Sequence, residues 1–210
     1  MPTILHHGDI PADLSFGVSV AIDTESMGLD PKRDRLCLVQ LSSGDGNAHL
    51  VQFLPGQYQA PHLRKLLADP KVLKIFHFAR ADLAMLKYYF GIMPAPVYCT
   101  KIASIFVRTF TERHSLKDLT RDLLGIDLPK EQQTSDWGAE KLSEEQLKYA
   151  GSDVLYLHRI KVKLDEMLAR EGRTKLAQGF MDCLPCRAEA DLAGWKDVDI
   201  FAHRPLAKSG

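Results

Sequence analysis

From Val18 to Glu25 the chain alternates, with Val18, Val20 and Ile22 on one side and Ser19, Ala21, Asp23 and Glu25 on the other. A period of two predicts a strand. The second side begins with small residues and ends in two acids, which suits a strand that is covered closely before its end opens to solvent. Arg35-Leu-Cys-Leu-Val-Gln-Leu41 is almost continuously apolar and predicts a central strand. Ser42 to Asn47 has turn composition, and Ala48 to Phe53 predicts a third strand in an antiparallel meander. Residues 1–16 carry no such pattern and are expected to form an irregular lead-in.

The period then changes. Pro61 to Leu67 predicts a short helix opened by proline, Val72 to Phe76 a buried strand, and Ala79 to Phe90 a helix closed by Gly91. Val97 to Cys99 is a short strand, followed by helices over Lys101–Arg108 and from Ser115, where Ser115 and Asp118 have capping-box spacing. Gly125 to Trp137 reads as a polar loop in which Trp137 is a core anchor. The longest predicted helix runs from Ser143 to Glu171, with Ser143 and Gln146 as its capping box. Its apolar stripe runs through Leu147, Ala150, Val154, Leu157, Ile160, Leu164 and Leu168. The last forty residues add a helical stretch broken near Pro185. Strands followed by alternating helices and strands make an α/β fold with a mixed sheet flanked by helices. One domain is expected over 1–210.

Composition narrows the function classes. The 210 residues are 45% hydrophobic and 26% charged, enough for a sizeable core. No apolar run is long enough to span a membrane, and no signal peptide is visible in MPTILHHGDIPADLS, so a cytoplasmic location without membrane attachment is expected. Lys plus Arg equals Asp plus Glu at 27 each. Proteins that grip long duplex nucleic acid carry a basic surplus, and this chain has none. Cys183-Leu-Pro-Cys186 is a CxxC without a second ligand pair and is expected to be two reduced thiols. Cys37 is expected to be a small buried hydrophobe.

The chemistry lies in scattered acids. Asp23 and Glu25, two apart on a strand, leave the same face and repel each other unless a cation intervenes. Asp82 falls in the first turn of its helix, a position that also favours an acid for electrostatic reasons alone. Tyr149 and Asp153 are one helical turn apart, on a face rotated about 100° from the apolar stripe. Each feature taken alone has an ordinary structural explanation. Together they suggest an acidic cluster that requires cations, because buried carboxylates are costly without them. Oxygen-only ligands favour Mg²⁺ or Mn²⁺ over zinc.

The order of these residues resembles the DEDD superfamily of 3′–5′ exonucleases, in its tyrosine-containing branch. AIDTES with LCLVQLS is similar to the first exonuclease motif and the following strand of ribonuclease D, KIFHFARADLAML to the second motif, and SDWGAEKLSEEQLKYAGSDVLYL to the third. The similarity spans about residues 18–170. Ribonuclease D continues into a helical nucleic-acid-binding domain, and the expectation here is a short member whose helical extension, 173–210, finishes the nuclease domain.

The resemblance implies a ribonuclease-H-like fold and release of nucleoside 5′-monophosphates from single-stranded 3′ ends, of RNA in preference to DNA. It further implies two divalent cations: Asp23, Glu25 and Asp153 hold one, Asp23 bridges to the other, and Asp82 acts directly or through water. Tyr149 orients the attacking water. Met27, Leu29 and Phe78 are candidates for stacking on terminal bases, His77 for reaching a phosphate or sugar, and Gln133 and Lys130 for backbone contacts. Two alternatives stay open, a DNA exonuclease with the same metals and a non-catalytic nucleic-acid-binding module. The second should lack a metal ligand or the tyrosine, and all are present.

Overall fold

The computed structural model describes residues 2–129 and 135–202. Among the described residues six strands form one mixed sheet: β1 (Thr3–His7), β2 (Ser19–Ser26), β3 (Leu36–Ser42), β4 (Ala48–Gln52), β5 (Leu73–Phe76) and β6 (Val97–Cys99). Their order is β1-β4-β3-β2-β5-β6. The meander is antiparallel from β2 through β3 to β4, whereas β5 and β6 join on the β2 side in parallel. All seven residues of β3 are buried, as its apolar run requires of a central strand. Lys74, in β5, is fully buried as well, and its ammonium donates to the carbonyls of Asp69 and, at 2.9 Å, Ala95.

The first correction to the sequence reading is β1. Residues 3–7 are not an irregular lead-in but an edge strand parallel to β4, with Thr3 opposite Ala48 and His7 opposite Gln52. The segment TILHH has two histidines and no alternation, and its ladder comes from a partner some 45 residues away. Local periodicity carries no trace of such a partner.

The helices are α1 (Pro61–Ala68), α2 (Arg80–Phe90), α3 (Thr100–Val107), α4 (Leu116–Leu124), α5 (Glu144–Leu155), α6 (Leu157–Arg170), α7 (Thr174–Asp182) and α8 (Leu184–Ala190). Gly91 and Gly125 end α2 and α4 in the left-handed conformation, the usual role of glycine past a helix end. Ser143 and Gln146 make both bonds of the capping box at the start of α5.

The second correction is that the long helix is two. Tyr156, at φ −107°, separates α5 from α6. The apolar stripe runs through the break, with Ala150, Val154, Leu157, Ile160, Leu164 and Leu168 all buried, so periodicity cannot register it. The two halves serve different neighbours: α5 lies on β2, β3 and β4, and α6 packs on α3 and α4. Where α5 crosses the sheet, Cys37, Leu38, Leu50, Trp137, Leu142, Tyr149 and Ala150 form their own apolar cluster. Gly151 makes this approach possible, because a Cβ there would lie 2.8 Å from Thr3 Oγ1 and 3.4 Å from the Ala48 Cβ.

The C-terminal segment wraps back to α2. Arg80 grips Asp191 with two bonds, Nε to Oδ2 at 2.5 Å and a terminal amino group to Oδ1 at 2.8 Å. Lys196 Nζ donates to the Leu29 carbonyl at 2.9 Å. Among the described residues no helix is long and apolar enough to cross a membrane.

Candidate active site

The strand β2 delivers two acids to one place. Asp23 and Glu25 are two residues apart at its end, and Asp153 arrives from the last turn of α5. One carboxylate oxygen from each of Asp23, Glu25 and Asp153 lies within 4.8 Å of the others. Asp82, buried in the first turn of α2, is held by Thr24, whose hydroxyl donates to Asp82 Oδ1 at 2.6 Å. Tyr149 stands one turn before Asp153, buried, with its ring 6.2 Å from that of Trp137.

These acids border a cleft of about 630 Å³. Tyr149, His77, Phe78 and Leu29 are also on its wall. Met27 is not: it is half exposed and outside the cleft lining, with its sulfur beside Gly138. Gln133 and Lys130 lie outside the described residues.

Cleft-wall residues absent from the sequence reading include Lys101 and Lys117. The ammonium of Lys101 sits 3.7 Å from the centre of the Phe78 ring, a cation–π contact. Phe78 itself has φ +62°, an unusual value for a bulky side chain and one that clusters at functional sites.

Gln40 is another residue missed. It lies opposite Asp23 in the β2–β3 ladder, is fully buried, and donates from Nε2 to Asp23 Oδ2 at 3.3 Å. Its Oε1 has no hydrogen-bond partner among the described residues. A single amide in an otherwise apolar strand was the available signal, because such a group is retained only where it has a bond to make.

Burial and mutual repulsion dominate the electrostatics of these acids. Burial pushes the Asp23 carboxyl up to about 7. Burial, reinforced by the charges of Asp23, Asp153 and Asp82, pushes Glu25 up to about 10. Asp82 is raised well above the carboxylate range by burial and by Asp23. The opposing influences on Asp23 and Asp82 are hydrogen bonds, and no such bond from the described residues lowers Glu25. Buried acids of which Glu25 and Asp82 are raised further by their neighbours' charges suit a divalent cation, and an all-oxygen donor set suits a hard one.

Residues 9–169 match the 3′–5′ exonuclease family. The chain belongs to that family. Ribonuclease D of Gluconacetobacter diazotrophicus is 40% identical over 154 residues, which are 73% of this chain and 39% of that protein. DNA polymerase I of Aquifex aeolicus is 39% identical over 147 residues, 70% of this chain and 24% of that protein. The chain thus spans about two fifths or less of these curated relatives. Among solved structures, Brucella melitensis NrnC is 54% identical with a TM-score of 0.94, covering 96% of this chain and 98% of that one. The same protein is also known with bound Mg²⁺ and bound to pGG, at TM-scores of 0.93 and 0.94. The six-stranded mixed sheet with its flanking helices is therefore the ribonuclease-H-like exonuclease fold.

Proposed function

We propose that this protein is a metal-dependent 3′–5′ exoribonuclease that removes nucleoside 5′-monophosphates from the ends of short single-stranded RNA. The observation that carries the reading is the meeting of Asp23, Glu25 and Asp153 within 4.8 Å, on a cleft that Asp82 and Tyr149 also border. Family membership and the likeness to an NrnC bound to pGG support it. A cleft of about 630 Å³ has the volume of a small-molecule site and suits the last nucleotides of a strand rather than a long duplex. The absence of net positive charge points the same way.

Asp23, Glu25 and Asp153 would hold one divalent cation, Mg²⁺ or Mn²⁺, and Asp23 with Asp82 a second. Bound cations of this kind acidify water and offset the charge that develops during in-line attack on phosphorus. The chain's own part is positioning. Gln40 fixes one oxygen of Asp23 and Thr24 one oxygen of Asp82, so neither carboxylate is free to rotate. The Tyr149 hydroxyl would orient the attacking water. Its contribution would be direction of the water, with acidification left to the cations.

The test is incubation of end-labelled single-stranded RNA, DNA and pGG with Mn²⁺, Mg²⁺ or chelator, followed over time. Stepwise loss of single nucleotides from RNA, stopped by chelator, is expected. Cuts inside a circular substrate, or no cleavage with either metal, would overturn the reading. Faster digestion of DNA would select the alternative, a DNA exonuclease, to which the similarity with a DNA polymerase I gives some support.

A further inference from the structure

The turn between β5 and α2 carries a histidine whose role the metal chemistry does not use. His77 follows Phe76, the last residue of β5, and borders the cleft. Strand β6 pairs with β5 so that Cys99 lies opposite Phe76, and the next residue, Thr100, opens α3. Two short bonds result. The Thr100 hydroxyl donates to the Phe76 carbonyl at 3.2 Å, and Thr100 Oγ1 stands 2.9 Å from His77 Nδ1.

A hydroxyl has one hydrogen. When that hydrogen goes to Phe76 O, Thr100 can only accept from His77, and Nδ1 is then the protonated nitrogen. A neutral imidazole has a single N–H, which leaves Nε2 as a bare acceptor. Burial and the nearby Lys101 charge keep the ring neutral, with its pKa lowered to about 4. No described residue donates a hydrogen bond to Nε2.

An acceptor on the wall of a nucleotide cleft restricts what it can meet. A phosphodiester offers only acceptor oxygens and would be repelled by the Nε2 lone pair. Base N–H donors differ from one base to the next. Ribose hydroxyls are donors that every ribonucleotide carries, and they lie between the phosphate, which must reach the acids, and the base, for which the adjacent Phe78 offers an exposed ring. We infer that His77 reads the sugar: its Nε2 accepts a hydrogen bond from a ribose hydroxyl of the terminal nucleotide, and Thr100 is the positioning residue that sets the tautomer. This assignment rests on the exonuclease reading above and adds to it a residue that recognises the terminal sugar, and that selects RNA over DNA where the contacted hydroxyl is the 2′ one.

The test compares three matched short substrates: all-ribose, 2′-deoxy at the terminal nucleotide, and 3′-deoxy at the terminal nucleotide. His77→Phe keeps a ring and removes the acceptor. It should lower kcat/KM on the all-ribose substrate by about tenfold to a hundredfold, since a donor left unpaired in a site built to bond it is costly. The loss should be nearly absent on whichever deoxy substrate lacks the contacted hydroxyl, and this identifies the hydroxyl. Thr100→Val, which conserves shape, should narrow the same ribose-to-deoxy ratio without an equal fall in kcat on the deoxy substrate. Losses of equal size on all three substrates, or losses that follow base identity instead, would overturn the inference.

Two readouts do not depend on turnover. Nitrogen-15 NMR of the free protein should show His77 protonated at Nδ1, and protonation at Nε2 would overturn the assignment. Titration with GMP and its 2′-deoxy and 3′-deoxy forms in the presence of Mg²⁺ should show a preference that His77→Phe abolishes. A wild-type protein that has this preference but hydrolyses nothing would sink the exonuclease reading while leaving the sugar contact standing.

Discussion

The Thr24 hydroxyl and Asp82 Oδ1 are 2.6 Å apart, so the residue between the two strand acids holds the acid contributed by the helix. Asp82 comes to the site 58 positions later in the chain, and this side-chain bond ties its carboxylate to β2. Thr24→Val preserves shape and removes the donor. We expect a fall in turnover of about 10–100-fold, the range seen when an outer-shell partner of a metal ligand is lost. Thr24→Ser should restore most of it. Turnover measured against Mn²⁺ concentration checks this, and an unchanged Thr24→Val enzyme would show that Asp82 is held well enough by its helix.

The raised acids make a prediction about stability. An acid whose folded pKa lies above its unfolded value keeps its proton longer when folded. Stability is then greatest below the unfolded pKa and falls as pH rises toward the folded one. For Asp23 that window runs from its ordinary value of about 3.9 to about 7, and for Glu25 it continues upward to about 10. Protein kept in chelator should therefore lose Tm as pH rises from about 5 to about 8. Mn²⁺ should restore it, and by more at the higher pH, because binding displaces protons. Thermal melts with and without Mn²⁺ check this. A Mn²⁺ effect that does not change with pH would mean the acids are already ionised in the metal-free protein.

Three substitutions separate the jobs of the site residues. Asp23→Ala should abolish turnover, since Asp23 would serve both cations. Asp153→Asn should weaken Mn²⁺ binding and turnover together. Tyr149→Phe should leave Mn²⁺ affinity and Tm nearly unchanged while lowering kcat by about 10²–10⁴-fold, the usual contribution of an orienting or acid–base group. Calorimetric Mn²⁺ titration beside single-turnover kinetics distinguishes them. Near-normal kcat for Tyr149→Phe would make the tyrosine a packing residue on Trp137.

Gly151 lies between Tyr149 and Asp153 and faces Thr3 and Ala48. Glycine in a helix interior normally gains about 1 kcal/mol on replacement by alanine. Here the new Cβ would meet Thr3 Oγ1 at 2.8 Å, so the gain should vanish for Gly151→Ala. Gly151→Leu should cost about 1–3 kcal/mol, as overpacking does. Turnover of the leucine variant should fall further than the fraction folded, because α5 carries two site residues. Combining Thr3→Ala with Gly151→Ala should relieve the clash and raise Tm.

What the sequence disclosed was local. The apolar run of β3, the glycines after α2 and α4, and the capping box of α5 are all decided by neighbours a few residues apart, and the structure has them where the pattern put them. The acids were found through motif order, each having an ordinary explanation when taken alone. What stayed hidden depends on distant partners. Strand β1 exists because β4 offers it an edge. Gln40 and Thr24 matter because of what stands opposite them in the fold, and the same is true of the pair His77 and Thr100. Met27 shows the reverse: proximity in sequence to Asp23 and Glu25 did not bring it to the cleft.

The break at Tyr156 divides a single apolar stripe between two owners. Residues before it pack on β2, β3 and β4, whereas residues after it pack mainly on α3 and α4, with lesser contacts to β5 and α7. Tyr149 and Asp153 are on the sheet's side of that division. Repacking of α6 against α3 and α4 therefore need not move α5, and with it the Asp153 carboxylate, as one body. A relative that lost the break would join the two halves into one rigid rod, and each change in the outer layer would then be felt at the cleft.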